Sequence, residues 1–219
     1  MRKMNGEEFD QLVTFFDGMA RTSWLRSIHD RLKELSGSWN NLKVLDVGCG
    51  TGRLLLRGVD EAEHLYGVDL SSEMIKASQQ NFFLHDRSEK TTFVTGDAYE
   101  LPFEDDAFHL SLSTCVMFLL PEPKNGLTEM VRVTKSNGRI VMLNPTKKMN
   151  QQNAFNYCKQ HDIQGFEQTT MLKWSNVSTR RHRYANEELT SLLTQLGCID
   201  VKHEQVLDGL AVITVATVN

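Results

Sequence analysis

The chain has 219 residues, 40% hydrophobic and 24% charged, which is the balance of one globular domain and not of a disordered or membrane-embedded chain. Its formal net charge of -4 argues against a strongly basic nucleic-acid-binding protein. Four scattered cysteines without a CxxC pair indicate neither a disulfide framework nor a zinc site. Because the charged N-terminus has no signal-peptide core and no segment reaches about 18 apolar residues, we expect a cytoplasmic protein without membrane insertion.

Alternating apolar and amphipathic stretches indicate the fold class. Residues 1–41 are expected to be helical and amphipathic. Beyond them, short apolar runs alternate with longer stretches of helical periodicity, a pattern typical of an α/β fold with a parallel sheet covered by helices. The predicted strands are Lys43–Val47, Leu65–Asp69, Thr92–Thr95, Leu110–Thr114 and Arg139–Leu143. The predicted helices between them are Thr51–Ala62, Ser72–Leu84 and Lys124–Thr134, the last ended by Asn137-Gly138.

The last third of the chain divides into a polar segment and a regular end. Residues 146–184 are polar and locally basic, and we expect them to be irregular and to act as a lid, as residues 1–41 would. A helix is expected from Asn186 to Leu196, closed by Gly197. Two further strands, Ile199–Val206 and Leu210–Val218, would then pair around a tight turn. This antiparallel hairpin would complete a doubly wound, mostly parallel sheet of seven strands.

A glycine-rich turn is the strongest functional signal. The sequence VLDVGCGTG, from Val44 to Gly52, takes a buried strand into a DxGxGxG turn. Glycine is needed there because a side chain would obstruct the turn and keep a ligand from the main chain. A dinucleotide-binding fold would instead space its glycines as GxGxxG. Asp69 ends the next strand, in GVDLS, where a carboxylate can accept both hydroxyls of a ribose. Together these features indicate a ligand that contains adenosine.

Two more motifs complete a recognisable set. They are GDAYELPFEDDAF, which starts at Gly96, and LSLSTCVMFLL, which starts at Leu110. With the first two motifs they cover about residues 40–145. The set resembles class I S-adenosylmethionine-dependent methyltransferases, particularly the group that includes ubiquinone and menaquinone biosynthesis enzymes and many small-molecule methyltransferases. The resemblance implies a Rossmann-like fold and S-adenosyl-L-methionine as the cofactor.

The resemblance also implies an organisation of the chain. It predicts a single methyltransferase domain made of four consecutive parts. These are an N-terminal helical cap at 1–41, a cofactor-binding core at 42–145, a substrate-lid insertion at 146–184, and a C-terminal helix with β-hairpin at 185–219.

Individual cofactor contacts follow from the same resemblance. The implied cofactor-binding residues are Asp46, Gly48, Cys49, Gly50, Gly52, Asp69, Leu70, Asp97, Ala98 and Thr114. Asp69 would hold the ribose and Leu70 would pack on the adenine. Asp97 would accept the exocyclic amine of the adenine, while the Ala98 backbone N–H would reach a ring nitrogen. Thr114 would lie near the methionine moiety.

The methyl acceptor is not encoded in these motifs. We expect a small molecule, which could be anionic because residues 146–184 are basic and include the run Arg180-Arg181-His182-Arg183. Methyl transfer by in-line displacement depends mainly on positioning, so a general base is not obligatory. The residue types that could supply one are found at His29, His161, His182 and Tyr157. An RNA or protein methyltransferase and a non-catalytic cofactor-binding protein stay open as alternatives, as does the oligomeric state.

Overall fold

The computed structural model describes residues 2–219, which fold around a seven-stranded sheet. Its strands are β1 (Lys43–Val47), β2 (His64–Asp69), β3 (Thr91–Thr95), β4 (Phe108–Thr114), β5 (Thr134–Pro145), β6 (Cys198–Val206) and β7 (Ala211–Val218). The spatial order is β3-β2-β1-β4-β5-β7-β6, and β1 to β5 run parallel to one another. Strand β7 runs antiparallel between β5 and β6. The predicted doubly wound sheet ending in a hairpin is confirmed.

Helices cover both faces of the sheet. They are α1 (Gly6–Asp10), α2 (Val13–Ala20), α3 (Ser23–Ser36), α4 (Ser72–Leu84), α5 (Pro123–Val133), α6 (Gln151–Gln160), α7 (Gly165–Thr179) and α8 (Asn186–Gln195). The predicted helices at α4, α5 and α8 are confirmed. The Ser71 hydroxyl caps α4 by accepting the backbone N–H of Met74 at 3.1 Å. Within residues 2–219, no helix is long and apolar enough to span a membrane.

The hydrophobic core lies on both faces of the central strands. Val44 and Leu45 are both fully buried, yet they belong to different apolar clusters. Successive side chains of a strand point to opposite faces, so each central strand contributes to both clusters. This two-sided burial explains why these strands read as continuous apolar runs in the sequence.

The segment after the glycine-rich turn does not form the predicted helix Thr51–Ala62. It folds into turns with a short 3₁₀ helix at Leu55–Gly58. Gly58 packs against the Trp39 ring so closely that an added Cβ would lie 1.8 Å from Trp39 Cε3. Tertiary contact with the ring therefore overrides the helical periodicity here. The predicted role of Asn137-Gly138 in ending α5 was also wrong, since α5 ends at Val133 and both residues lie within β5.

The polar segment 146–184 was expected to be irregular but contains the two helices α6 and α7. The buried face of α7 includes Thr170, Ser175 and Ser178, which are fully buried. The Ser178 hydroxyl donates to the Trp174 carbonyl oxygen at 2.8 Å, and each serine is satisfied within its own helix. Because hydroxyl residues occupy its buried face, α7 lacks the apolar period that would predict it.

Helix α7 supports the N-terminal helices. The Trp174 ring stacks on Trp24 of α3, with ring centroids 5.5 Å apart and an interplanar angle of 10°. Phe166 packs edge-on against Phe15 of α2 at 6.1 Å. Through these contacts α7 packs against both α2 and α3, so the position of the two helices depends on α7.

We expect Trp174→Ala to lower the free energy of unfolding by about 3–5 kcal/mol, because the change removes a buried ring and leaves a cavity against Trp24. Equilibrium urea unfolding measures the loss. Val177→Ala is the matched control on the same helix, since Val177 is 41% exposed and its truncation should cost less than about 1 kcal/mol. Equal losses in the two variants would contradict the supporting role of the stacked pair.

Candidate functional site

The carboxyl ends of β1, β2 and β4 open into a cavity, where ligands of doubly wound sheets bind. The structure brings together most of the residues implied by the sequence motifs. Those lining the cavity are Asp46, Gly48, Cys49, Gly50, Asp69, Leu70, Asp97, Ala98 and Thr114. In the described chain, Gly52 is the exception. It faces α4, where an added Cβ would lie 3.1 Å from Phe82 Cε2.

The glycine-rich turn is fastened to β2 and needs its glycines for different reasons. The backbone N–H groups of Gly48 and Cys49 both donate to the Val68 carbonyl oxygen, at 2.7 and 3.0 Å. Gly48 and Gly50 have left-handed φ angles of 74° and 53°. An added Cβ at Gly48 would lie 2.1 Å from Val116 Cγ2, whereas one at Gly50 would meet no atom within 4 Å. Gly48 is therefore required by packing, while Gly50 borders open space.

Cys49 lies inside the turn without the features of a nucleophile. Its side chain is buried, and burial raises the pKa of its thiol well above the usual value. The thiol therefore stays protonated, and nucleophilic chemistry needs the thiolate. The side chain of Cys49 therefore packs in the core beneath the turn.

Asp69 is oriented by the backbone on both sides. Its Oδ2 accepts the N–H of Gly50 and its Oδ1 accepts the N–H of Ser71, both at 2.9 Å. Burial raises the pKa of this carboxyl, and the backbone hydrogen bonds oppose the rise. Each carboxylate oxygen has a second lone pair, so Asp69 keeps the capacity to accept hydroxyl groups.

Asp46 is buried in the cavity wall without full hydrogen bonding. It is 2% exposed, and burial together with the nearby Asp69 raises its pKa to about 8. Its Oδ1 has no hydrogen-bond partner among residues 2–219, and the same is true of Thr114 Oγ1. Buried polar atoms left unpaired cost free energy, which a ligand can recover. A cationic or donor group that reached either atom would recover part of this cost.

Asp97 is already paired with the N-terminal segment. The Lys3 ammonium forms an ion pair with Asp97 Oδ2 and lies 3.9 Å from the centre of the Tyr99 ring. The other oxygen, Oδ1, accepts the Tyr99 backbone N–H at 2.9 Å. An adenine amine could therefore reach this carboxylate only if the Lys3 side chain moved or shared it.

The N-terminal helices form one wall of the cavity. Phe9, Phe16, Met19, Ala20, Leu25 and His29 of these helices line it, together with Lys3 and Met4, which precede α1. Asp17 ties α2 to the glycine-rich turn by accepting hydrogen bonds from Thr51 Oγ1 at 2.9 Å and Arg53 Nε at 2.8 Å. The sequence indicated a helical cap here but not which residues face the cavity, because no motif marks Lys3, Phe9 or His29.

The four candidate bases have different surroundings in the structure. His161 Nε2 is paired with Asp208 at 2.7 Å, and the Tyr157 ring packs on His161 at 4.2 Å. His182 Nε2 lies 3.2 Å from the Pro121 carbonyl oxygen. His29 is the member of this set that lines the cavity within the described residues.

The basic run 180–183 holds the fold together at two points. Arg181 donates to the Arg2 carbonyl oxygen at 2.9 Å, and Arg183 donates to the Met149 carbonyl oxygen at 2.9 Å. These guanidinium groups are used for main-chain contacts, and residues 146–184 line no part of the cavity in the described chain.

We expect Gly48→Ala to destabilise the protein by about 1–3 kcal/mol more than Gly50→Ala does. Both changes strain a left-handed residue, but only the first forces a side chain into Val116. Chemical denaturation of the two variants gives the difference. The double variant Gly48→Ala/Val116→Ala should recover part of the loss, and equal stability of the single variants would refute the packing requirement.

Asp46→Asn should stabilise the ligand-free protein increasingly as pH rises from 5 to 8. Unfolded Asp46 ionises near pH 4, whereas folded Asp46 keeps its proton up to about pH 8, so its burial opposes folding more with each pH unit. The expected growth in the gain is up to about 1.4 kcal/mol per pH unit. Urea unfolding at several pH values measures it. Asp60→Asn, on an exposed residue paired with Arg87, serves as the control. A gain independent of pH would contradict the buried, protonated state.

Comparison with known proteins agrees with this geometry. A family model described as a methyltransferase domain matches residues 39–190. The sterol 4-C-methyltransferase of Caenorhabditis elegans is 25% identical over 161 residues, which cover 73% of this chain and 48% of that protein. The demethylmenaquinone methyltransferase of Paenarthrobacter aurescens is 30% identical over 147 residues, 61% of this chain and 54% of that protein. The chain thus spans about half the length of these curated relatives.

The fold is shared with solved structures over nearly the whole chain. An S-adenosylmethionine-dependent methyltransferase from Aquifex aeolicus superposes with a TM-score of 0.71 at 16% identity, covering 96% of this chain and 98% of that one. The strand order and the family match together confirm the predicted fold, family and cofactor. This chain belongs to the methyltransferase-domain family, the class I proteins whose methyl donor is S-adenosyl-L-methionine.

Proposed function

We propose that this chain transfers the methyl group of S-adenosyl-L-methionine to a small-molecule acceptor. The observation that carries the proposal is the pair of unsatisfied buried atoms, Asp46 Oδ1 and Thr114 Oγ1, beside the glycine-rich turn in the cavity wall. The cofactor's ammonium would satisfy both atoms and would favour the charged form of Asp46.

The remaining cofactor contacts are proposed residue by residue. Asp69 would accept the ribose hydroxyls with the lone pairs that its backbone donors leave free. Leu70 would pack on the adenine, and the Ala98 backbone N–H would donate to a ring nitrogen. Asp97 would accept the adenine amine after the Lys3 ammonium shifts, so Lys3 and the adenine would share one carboxylate.

The reaction places modest chemical demands on the protein. When bound, the cofactor supplies a methyl group on a positively charged sulfur, which is a good electrophile with a neutral leaving group. The chain's own task is to hold the acceptor atom in line with that methyl group and to keep water away. Phe9, Phe16 and Met19 of the N-terminal wall are placed to exclude water from the cavity.

A small apolar acceptor is the class that this cavity favours. The two curated relatives are named for a sterol and for demethylmenaquinone, and the N-terminal wall of this cavity is largely apolar. An anionic acceptor gains less support, because Arg181 and Arg183 are engaged with main-chain oxygens. The four-part division of the chain, the lid role of residues 146–184 and a cytoplasmic location stay predictions.

Calorimetric titration with S-adenosylhomocysteine, the demethylated product, tests the cofactor site. We expect wild-type binding and a loss on the order of 1–3 kcal/mol in Asp69→Ala, because ribose hydrogen bonds are removed. Asp60→Ala is the matched control, since Asp60 lies outside the cavity. Unchanged affinity in a folded Asp69→Ala variant would reject the ribose assignment. Absence of wild-type binding would reject the proposed function.

Catalysis is tested separately from binding. Release of S-adenosylhomocysteine from the methyl donor should appear when a suitable hydroxyl-bearing apolar compound is added. The same release with RNA or protein substrates alone would favour the alternative enzyme classes. Tight cofactor binding without turnover on any acceptor class would favour the non-catalytic alternative.

A further inference from the structure

His29 stands in an apolar part of the cavity wall. It lies one helical turn after Leu25 on the same face of α3, and both residues line the cavity. Leu54, from the turn that follows the glycine motif, lines the same cavity, as do Phe16 and Met19 of α2. The imidazole thus brings a polar group to a wall made mostly of hydrocarbon.

The imidazole is buried and uncharged. His29 is 5% exposed, and burial, with a contribution from the positive charge of Arg57, lowers its pKa to about 3. Its Nδ1 atom is buried without a hydrogen-bond partner among residues 2–219. A neutral imidazole carries one N–H donor and one lone pair, so leaving this nitrogen unpaired costs free energy.

Other histidines of the chain are satisfied by the protein itself. The His203 ring is held between the hydroxyl groups of Thr190 and Thr214, at 2.8 and 3.0 Å. His109 Nδ1 accepts the Lys43 backbone N–H at 3.0 Å. These two histidines therefore have hydrogen-bond partners within the protein. His29 differs in combining deep burial, an unpaired nitrogen and a place in the cavity wall.

We propose that the part of the cavity lined by the apolar side chains of Phe16, Met19, Leu25 and Leu54, which belong to one hydrophobic cluster or pack against it, is the acceptor subsite, and that His29 binds the hydroxyl group of an apolar methyl acceptor there. The inference rests on the proposed function and names the substrate class for that site. A hydroxyl group both donates and accepts a hydrogen bond, so it satisfies the imidazole in either tautomer. A cationic acceptor is disfavoured by the charge of Arg57, and an anionic one by the apolar wall.

The location also suits the reaction. The acceptor atom must share its space with the transferred methyl group, and Asp46 and Thr114 line the same cavity as His29. His29 would act by accepting or donating the hydrogen bond that orients the acceptor oxygen. It is thus assigned to acceptor binding, and the cofactor contacts are left to the motif residues.

A matched pair of probes tests the proposal in the complex with S-adenosylhomocysteine. The probes are 4-ethylphenol and 4-ethyltoluene, which differ by a hydroxyl in place of a methyl group. Dissociation constants are measured by calorimetry for wild type, His29→Leu and His85→Leu, the last being a control on an exposed histidine. We expect His29→Leu to weaken 4-ethylphenol about tenfold, while 4-ethyltoluene and S-adenosylhomocysteine keep their affinities within about twofold. His85→Leu should change none of the three.

Several outcomes overturn the proposal. They are equal effects of His29→Leu on both probes, no binding of 4-ethylphenol to the wild-type complex, and a selective loss of S-adenosylhomocysteine affinity, which would assign His29 to the cofactor. Wild-type failure to bind S-adenosylhomocysteine rejects the proposed function itself, so the two failures are distinguishable.

A second measurement on the wild-type protein avoids dependence on a folded variant. In protein labelled with ¹⁵N on histidine, the ring signals of His29 should shift when 4-ethylphenol is added to the S-adenosylhomocysteine complex. With 4-ethyltoluene they should move much less, because it offers no hydrogen bond. Equal shifts with both probes would overturn the assignment even if His29→Leu could not be purified.

Discussion

Two carboxyl groups buried at neighbouring strand ends set the character of this site. Asp46 lies on β1 and Asp69 at the end of β2, and the charge of Asp69 helps to raise the pKa of Asp46. The two carboxyl groups differ in their hydrogen-bond donors. Asp69 receives two backbone N–H groups, whereas Asp46 Oδ1 receives no donor from residues 2–219. The Asp69 carboxyl is thus oriented by backbone donors, whereas the Asp46 carboxyl is buried with one oxygen unpaired.

Burial of the Asp46 carboxyl lowers the stability of the protein, and burial of apolar side chains elsewhere in the sheet compensates for it. A buried carboxyl with a pKa near 8 opposes folding at neutral pH. The strands around it bury apolar side chains on both faces of the sheet, which supplies the compensating stability. Binding of a cationic ligand would offset this cost, because a nearby positive charge favours the ionised form of Asp46. Replacing Asp46 would therefore stabilise the ligand-free protein and remove a group that favours binding of a cationic ligand.

The second wall of the cavity depends on contacts far away in the sequence. Helix α2 is fixed to the glycine-rich turn through Asp17 and Arg53, and α3 is fixed from behind by the Trp24–Trp174 stack. Residues 146–184 therefore influence the cavity through α3, which contains both Trp24 and His29. If the acceptor binds beside His29 as proposed, substitutions in α7 would change acceptor binding by shifting α3, because residues 146–184 do not line the cavity in the described chain.

The sequence predicted what local patterns encode. The strands were predictable because burial on both faces produces continuous apolar runs. Most motif residues do line one cavity, because they follow neighbouring strand ends, and their contacts with the cofactor stay a prediction. Helix α7 was missed because it buries Thr170 and Ser175 with their hydroxyls satisfied internally, and the helix at Thr51–Ala62 was wrongly expected because Gly58 packs on the distant Trp39. Both errors arise from tertiary contacts that a local pattern cannot contain.

The same reasoning explains why the acceptor side was not predictable. His29, His161 and His182 are equivalent as residue types, and the difference between them comes from what the folded chain places around each. His161 and His182 receive partners from loops that are distant in sequence, while α3 carries His29 into the cavity wall and leaves Nδ1 unpaired. If His29 binds the acceptor as proposed, acceptor binding depends on the long-range packing of the N-terminal helices. The proposed cofactor contacts, in contrast, come from residues in the strand-end motifs, which a local pattern does contain.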